Sequence, residues 1–277
     1  MARPRLLALD LDGTLLEPGG SISDRSAEAV AKARAVGVQV VVCTGRRYRT
    51  TAWVLEHLEL DGPVVVHNGV ITKSGASAET LAAHYLEGSL YDHVLDLLRG
   101  VAPPIVYVDR YHEGLDMLVE PPERSHAYQQ SYLADYAEVH RVVPQLEDEA
   151  CHDVVMMSLM ADHDTLAALR EQLQKELHAD AHTNFLQNKN YEGYILEVTS
   201  SRASKWSALR EVAAEMGVAP EEIMAIGDDR NDASMIAGAG LGVAMANAVD
   251  AVKAVADATT AANDADGVAR AIERFLL

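Results

Sequence analysis

Residues 5–16 read "RLLALDLDGTLL", an apolar run that ends abruptly in two aspartates and a Gly-Thr pair. An unbroken apolar run of this length suits a strand buried on both faces, as in the middle of a parallel sheet. Residues two apart on an extended chain point the same way, so Asp10 and Asp12 can converge on one spot. Ligands of open α/β sheets bind just beyond such strand ends. The chain continues with "SDRSAEAVAKARAVG" at 23–37, which has Ser or Asp at its start and Gly37 at its end, as a capped helix should. A second apolar strand, "VQVVVCTGR" at 38–46, closes on polar residues. Helical periodicity returns near Arg47–Leu58, and "PVVVH" at 63–67 makes a third strand. Strand–helix–strand alternation predicts a doubly wound, Rossmann-like α/β core with a parallel sheet.

The same pattern reappears near the C-terminus. Residues 204–216 read as a helix, "EEIMAIGDD" as a strand, and "NDASMIAGAG" as a helix stopping in glycines. "LGVAMANA" is a further strand and 267–277 a closing helix. Between the halves lie two β-like runs, "PIVYVD" and "DVVMMSLMAD", and helical segments near 89–99, 123–137 and 164–177. The expected organisation is a core of residues 1–83 and 191–277, with an α+β domain inserted at 84–190. No fixed-period repeat or low-complexity tract is present.

Composition limits the partners. The 277 residues carry 42 acidic against 23 basic side chains, a formal net charge of −19. Such a surface repels nucleic-acid phosphates and acidic lipids, so nucleic acid and membrane are excluded as expected partners. Cys43 and Cys151 fit neither a disulfide framework nor a metal-ligand spacing, which points to a reducing compartment. No apolar run reaches the roughly 20 residues needed to span a bilayer. Asp10 and Asp12 interrupt the N-terminal apolar stretch before it could serve as a signal peptide. The expected location is the cytoplasm.

Four polar motifs sit at or near strand ends. Asp10-Leu11-Asp12-Gly13-Thr14 is the first. Thr44-Gly45-Arg46 is the second; a hydroxyl and backbone N–H groups at a strand-to-helix junction can cradle a phosphate oxygen, or simply cap the helix. Lys205, at a helix start, says little alone. Gly227-Asp228-Asp229-Arg230-Asn231-Asp232 is the fourth. Its carboxylates could cap a helix N-terminus or hold a hard cation such as Mg²⁺. Taken together, five aspartates would crowd one crevice. Two like charges 4 Å apart repel by roughly 4 kcal/mol at an effective dielectric near 20, and one lysine cannot offset that. A divalent cation resolves the conflict, so the cluster reads as a metal site.

These motifs, "DLDGTLL", "TGR", Lys205 and "GDDRND" in that order, resemble the four motifs of the haloacid-dehalogenase-like (HAD) phosphatases. The position of the insertion resembles the Cof-type branch, whose large α/β cap sits there. Asn68-Gly69, "GVAMANA" at 242–248 and "NDADGVA" at 263–269 are similar to recurrent Cof-type segments. The resemblance implies a Mg²⁺-dependent phosphatase acting on a small phosphorylated metabolite. Asp10 would be the nucleophile, forming an aspartyl-phosphate, and Asp12 the general acid and then base. Leu11, Thr44, Gly45, Arg46, Asn68 and Asn231 would bind phosphate, and Lys205 would balance its charge. The Asp10 side chain, the Asp12 carbonyl and Asp228 would hold Mg²⁺, with Asp232 supporting its water shell. One departure stands out: Trp206 follows the lysine where Cof-type proteins commonly carry Gly. His67, beside Asn68, reads as a structural strand-end histidine. Specificity would lie in the inserted domain, whose sequence does not identify the metabolite. A sugar-phosphate phosphomutase is the competing expectation. A phosphoryl-storing receiver module is another, against which stand Asp12 and the insertion.

Overall fold

The computed structural model describes residues 3–149, 152–187 and 192–277. The chain packs as two units: Met1–Ala83 with Ala203–Leu277, and His84–Arg202. In the first unit, β1 (Leu6–Leu9) is fully buried along its length. α1 (Asp24–Ala35) starts at Ser23, whose side chain accepts the Ser26 N–H. It turns Ala29, Val30 and Ala33 inward. Then come β2 (Gln39–Val42), α2 (Tyr48–His57) and β3 (Pro63–Val66). β3 does more than the sequence suggested. It pairs antiparallel with β4 (Ile71–Ser74), which pairs with β5 (Thr80–Ala83) in a small separate sheet. A single parallel bridge, Cys43↔Val65, links that sheet to the strand line of β2.

The inserted unit has a core of its own. In order it holds α3 (Gly88–Arg99), β6 (Ile105–Arg110), β7 (Leu115–Val119), α4 (Ala127–Asp135), β8 (His140–Val142), β9 (Val154–Ala161), α5 (His163–Leu177), β10 (Ala181–Gln187) and β11 (Tyr194–Ser200). Among the described residues its sheet runs β10-β11-β9-β6-β7-β8, antiparallel except for β7 with β8. Val94, Leu95 and Leu98 of α3 and Leu166, Leu169 and Leu173 of α5 are buried in one apolar cluster with Val106, Met157 and Leu196 of the sheet. Each such side chain contributes about 1.5–3 kcal/mol on burial. The boundary expected at 190 lies outside the described residues, and the inserted unit runs on to Arg202. β11 reads as core sequence, but its backbone pairs with β9 and β10, which carries it into the inserted unit.

The chain then resumes the first unit with α6 (Lys205–Glu215), β12 (Ile223–Gly227), α7 (Ala233–Gly238), β13 (Leu241–Ala244), α8 (Asp250–Lys253), β14 (Ala258–Thr259) and α9 (Gly267–Phe275). The main sheet has the order β14-β13-β12-β1-β2, every pair parallel. β1 therefore sits between strands from both ends of the chain, with Leu9 level with Val42 on one side and Ile226 on the other. That register brings the polar residues after β1, β2 and β12 to one edge. Trp206 is half-buried and lies against Gly238, where a Cβ would stand 2.2 Å from its ring, so the departure at this position fills the contact between α6 and α7. Cys43 is buried and unpaired, and burial holds its thiol well above the usual range. Cys151 lies outside the described residues. Among those described, no helix is long and apolar enough to cross a membrane.

Candidate active site

Asp10 follows β1, is only 4% exposed, and is anchored by its N–H to the Ile226 carbonyl at 3.1 Å. Lys205, 1% exposed at the first position of α6, donates to Asp10 Oδ1 and to Asp232 Oδ1, each at 2.6 Å. Asp232 is completely buried, and its other oxygen accepts the N–H groups of Asp228 and Asp229 at 3.0 and 3.1 Å. Asp228 accepts from the Thr14 hydroxyl at 2.9 Å. Asp229 caps the short turn at 230–232 by accepting the Arg230 N–H at 2.7 Å. Three motifs distant in sequence thus share one hydrogen-bonded cluster.

Its electrostatics follow from burial. Desolvation pushes the Asp10 carboxyl up to about 8 against the pull of Lys205, with Asp232 and Asp228 adding repulsion. Desolvation likewise lifts Asp228 to about 6, opposed by the Thr14 hydrogen bond and aided by Asp232 and Asp229. Burial would depress the Lys205 ammonium, but attraction to Asp10 and Asp232 outweighs it and holds the group above its ordinary value. The one ammonium bonds two of the three carboxyl groups, and the net charge left in the cluster is negative. Oxygens of Asp10, Asp228 and Asp232 lie within 4.8 Å of one another. Hard oxygen donors with surplus negative charge suit a divalent cation of the Mg²⁺ or Ca²⁺ kind. Because both Asp232 oxygens already accept hydrogen bonds, Asp10 and Asp228 are the better-placed ligands.

Asp12 does not join this cluster. Its carboxylate is held by Arg46 in a two-pronged pair, Nε to Oδ2 at 2.7 Å and Nη2 to Oδ1 at 2.6 Å. The chain leaves the strand after Leu9 and turns, and Arg46, which pairs with Asp12, also feels the charge of Asp10. Gly13 makes that turn, with φ at +82°, and a Cβ there would stand 2.3 Å from an Asp228 oxygen. Only a glycine permits both the left-handed backbone and that approach.

Thr44 is fully buried and its Oγ1 accepts the Arg46 N–H at 3.1 Å. Its own N–H goes to the Val65 carbonyl at 2.9 Å, so β3 takes part of the cradle the sequence suggested. Among the described residues the Thr44 hydroxyl and the Leu11 and Gly45 N–H groups are donors with no protein acceptor. Asn231 donates to Asn68 Oδ1 at 2.8 Å. Two contributors went unread in the sequence. Asn247 donates to the Gly13 carbonyl at 2.7 Å and accepts the Asn263 N–H at 3.1 Å. Asn263 in turn donates to the Leu16 carbonyl at 2.7 Å. Both lie in the "GVAMANA" and "NDADGVA" segments, whose asparagines were the available signal.

A doubly wound core thus carries, at its strand ends, a buried carboxyl group held by a lysine beside an acidic group that could hold a metal. Comparison with known proteins agrees. The family pattern for haloacid dehalogenase-like hydrolases matches residues 7–272, and the chain belongs to that family. It is 29% identical over 279 residues to the 5-amino-6-(5-phospho-D-ribitylamino)uracil phosphatase YitU of Bacillus subtilis, covering 99% of this chain and 98% of that protein. It is 28% identical over 293 residues to the pyridoxal phosphate phosphatase YbhA of Escherichia coli, covering 99% of each. A solved haloacid dehalogenase-like hydrolase from Bacteroides thetaiotaomicron superposes with a TM-score of 0.80 at 28% identity, covering 98% of this chain and 99% of that one. The chain is a phosphatase, a phosphoric monoester hydrolase of this family.

Proposed function

We propose that this phosphatase uses Mg²⁺ and hydrolyses a small phosphorylated metabolite through an aspartyl-phosphate on Asp10. The observation that carries the reading is the buried cluster in which Lys205 binds Asp10 and Asp232 at 2.6 Å each. Lys205 fixes Oδ1 of Asp10, which leaves Oδ2 to attack phosphorus. In the first step the new Asp10–phosphorus bond forms as the ester oxygen leaves with a proton from Asp12. In the second, water attacks phosphorus, Asp12 takes its proton, and the aspartyl bond breaks. Thr44, Gly45 and Leu11 donate to the phosphoryl oxygens, and Asn231 supports them. Asp10 and Asp228 hold the cation, with the Asp12 carbonyl as a third ligand by family resemblance and Asp232 locking Lys205 and the 228–229 backbone in place. When bound, the cation offsets negative charge at the site.

Arg46 pairs with Asp12, and a phosphate dianion would compete for it. The inserted unit, which supplies none of these residues, sets substrate choice. The substrates in the relatives' names, a phosphorylated ribitylaminouracil and pyridoxal phosphate, are small heterocycle-bearing esters. These and sugar phosphates form the first panel to screen for phosphate release without isomerisation. A mutase would instead return an isomerised ester. Asp12→Asn gives the mechanistic test. General acid–base catalysis contributes typically 10²–10⁴-fold, so the variant should stall after the first step with an activated aryl phosphate. Rapid quench should record about one phenolate per site and phosphate left on the protein, whereas Asp10→Asn should yield neither. Wild-type steady turnover by Asp12→Asn would remove Asp12 from the mechanism.

A further inference from the structure

The turn after β3 holds three successive residues in left-handed backbone, with φ of 49° at His67, 55° at Asn68 and 95° at Gly69. Two of them are not glycine, and a run of such residues is stored strain that persists only where its surroundings hold it. Here the surroundings are three of the four motif segments. The His67 N–H donates to the Arg46 carbonyl and the Asn68 N–H to the Thr44 carbonyl, each at 3.0 Å. Gly69 lies against the start of α6, where a Cβ would stand 2.1 Å from the Ser204 carbonyl oxygen and 3.0 Å from the Lys205 nitrogen. The Asn68 side chain accepts from Asn231 at 2.8 Å, across 163 residues of sequence.

We infer that this turn is a strained bracket tying the Thr44, Lys205 and Asn231 segments together, and that Asn68 is a positioning residue acting through Asn231. The inference rests on the phosphatase reading above. The choice of residue type carries it. At φ of 55° glycine meets no steric cost, and asparagine is the next most tolerant type. A backbone role alone would favour glycine, as at the neighbouring Gly69. The carboxamide is what asparagine adds, and its oxygen is spent on Asn231. That bond orients the exposed Asn231 side chain, next in sequence to the Asp232 that binds Lys205, so the site has less to order when phosphate arrives.

The experiment compares Asn68→Gly, Asn68→Ala, Asn231→Ala and the double variant Asn68→Gly/Asn231→Ala. Each is measured by p-nitrophenyl phosphate kinetics, competitive inhibition by inorganic phosphate, and thermal melting. Asn68→Gly relieves the left-handed residue but frees the unfolded chain, so its Tm should stay near that of the wild type and above that of Asn68→Ala. Its kcat/KM should nevertheless fall about tenfold, as loss of a hydrogen bond serving a charged group predicts, with weaker inhibition by phosphate. Asn231→Ala should lose a similar factor, and the double variant no more than the worse single one. Asn68→Ala should lose both activity and Tm. Wild-type kcat/KM in Asn68→Gly, or losses that multiply in the double variant, would overturn the inference. So would a Tm for Asn68→Gly as low as that of Asn68→Ala. A wild-type chain that hydrolysed no phosphomonoester would defeat the phosphatase reading, and this inference with it.

Discussion

At the scale of single residues, the site is a contest between burial and charge pairing. Asp10 lies buried beside Lys205 yet is pushed up to about 8, and Asp228 to about 6. Both values exceed the ordinary carboxylate value of 3.8. A raised folded-state pKa means that the folded chain binds protons more tightly than the unfolded one. The metal-free protein should therefore lose stability as pH rises from about 4 through 8. A divalent cation replaces those protons, so its stabilising effect should grow over the same window. Thermal melts in EDTA and in excess Mg²⁺ should diverge as pH increases, and phosphatase activity should vanish in EDTA and return with Mg²⁺. Identical melts at pH 8 with and without Mg²⁺ would remove Asp10 and Asp228 as ligands. The acidic cluster was legible because its carboxylates follow apolar strands. The Arg46 pairing of Asp12 was not, since spacing along a strand says nothing about a chain that turns after Leu9.

Elements were legible in proportion to how plainly their burial writes a pattern. β1, β2 and β12 are buried on both faces and stand out as apolar runs between polar ends. β10 reads "AHTNFLQ" and is half exposed along its length, so neither an apolar run nor a strict alternation announces it. β4 reads "ITKS" and was missed because it hides a buried lysine. The Lys73 ammonium donates to the Ala78 carbonyl at 3.1 Å and to the Thr80 hydroxyl at 2.9 Å, which a composition-based reading counts as surface. β11 carries a milder anomaly, a half-buried carboxylate. Glu197 stands level with Ser158 of β9 and accepts from Asn184 of β10 at 3.0 Å. Burial raises its carboxyl above the ordinary range, with the Asn184 bond opposing. By the same sign argument, the charged form costs stability above the usual glutamate range and the cost fades on acidification. Glu197→Gln keeps an acceptor for Asn184 and removes the charge. It should melt above the wild type at pH 7.5 and converge with it near pH 4. A lower Tm at pH 7.5 would mean the carboxylate is stabilised by something other than Asn184.

For the whole molecule, the division of the chain makes a thermodynamic claim. Asp10, Asp228, Asp232 and Lys205 all belong to the unit formed by Met1–Ala83 and Ala203–Leu277. His84–Arg202 is one continuous segment with its own buried cluster, which includes Val94, Leu95, Leu169 and Leu196. A ligand that binds only one folded unit stabilises that unit, by an amount that grows with the logarithm of its concentration above Kd. At 100 times Kd the gain is about 2.7 kcal/mol, enough to shift a transition by roughly 5–10 °C for a unit of this size. Calorimetry should therefore resolve two transitions, of which Mg²⁺ raises one and leaves the other in place. The segment 84–202 expressed alone holds a complete core, so it should melt cooperatively near the metal-insensitive temperature. Asp228→Asn should abolish the metal-induced shift without moving the second transition. If Mg²⁺ instead moved both transitions together, or if the isolated segment showed no cooperative melting, the two units would not be separate folding units. The assignment of chemistry to one and selectivity to the other would then lack its physical basis.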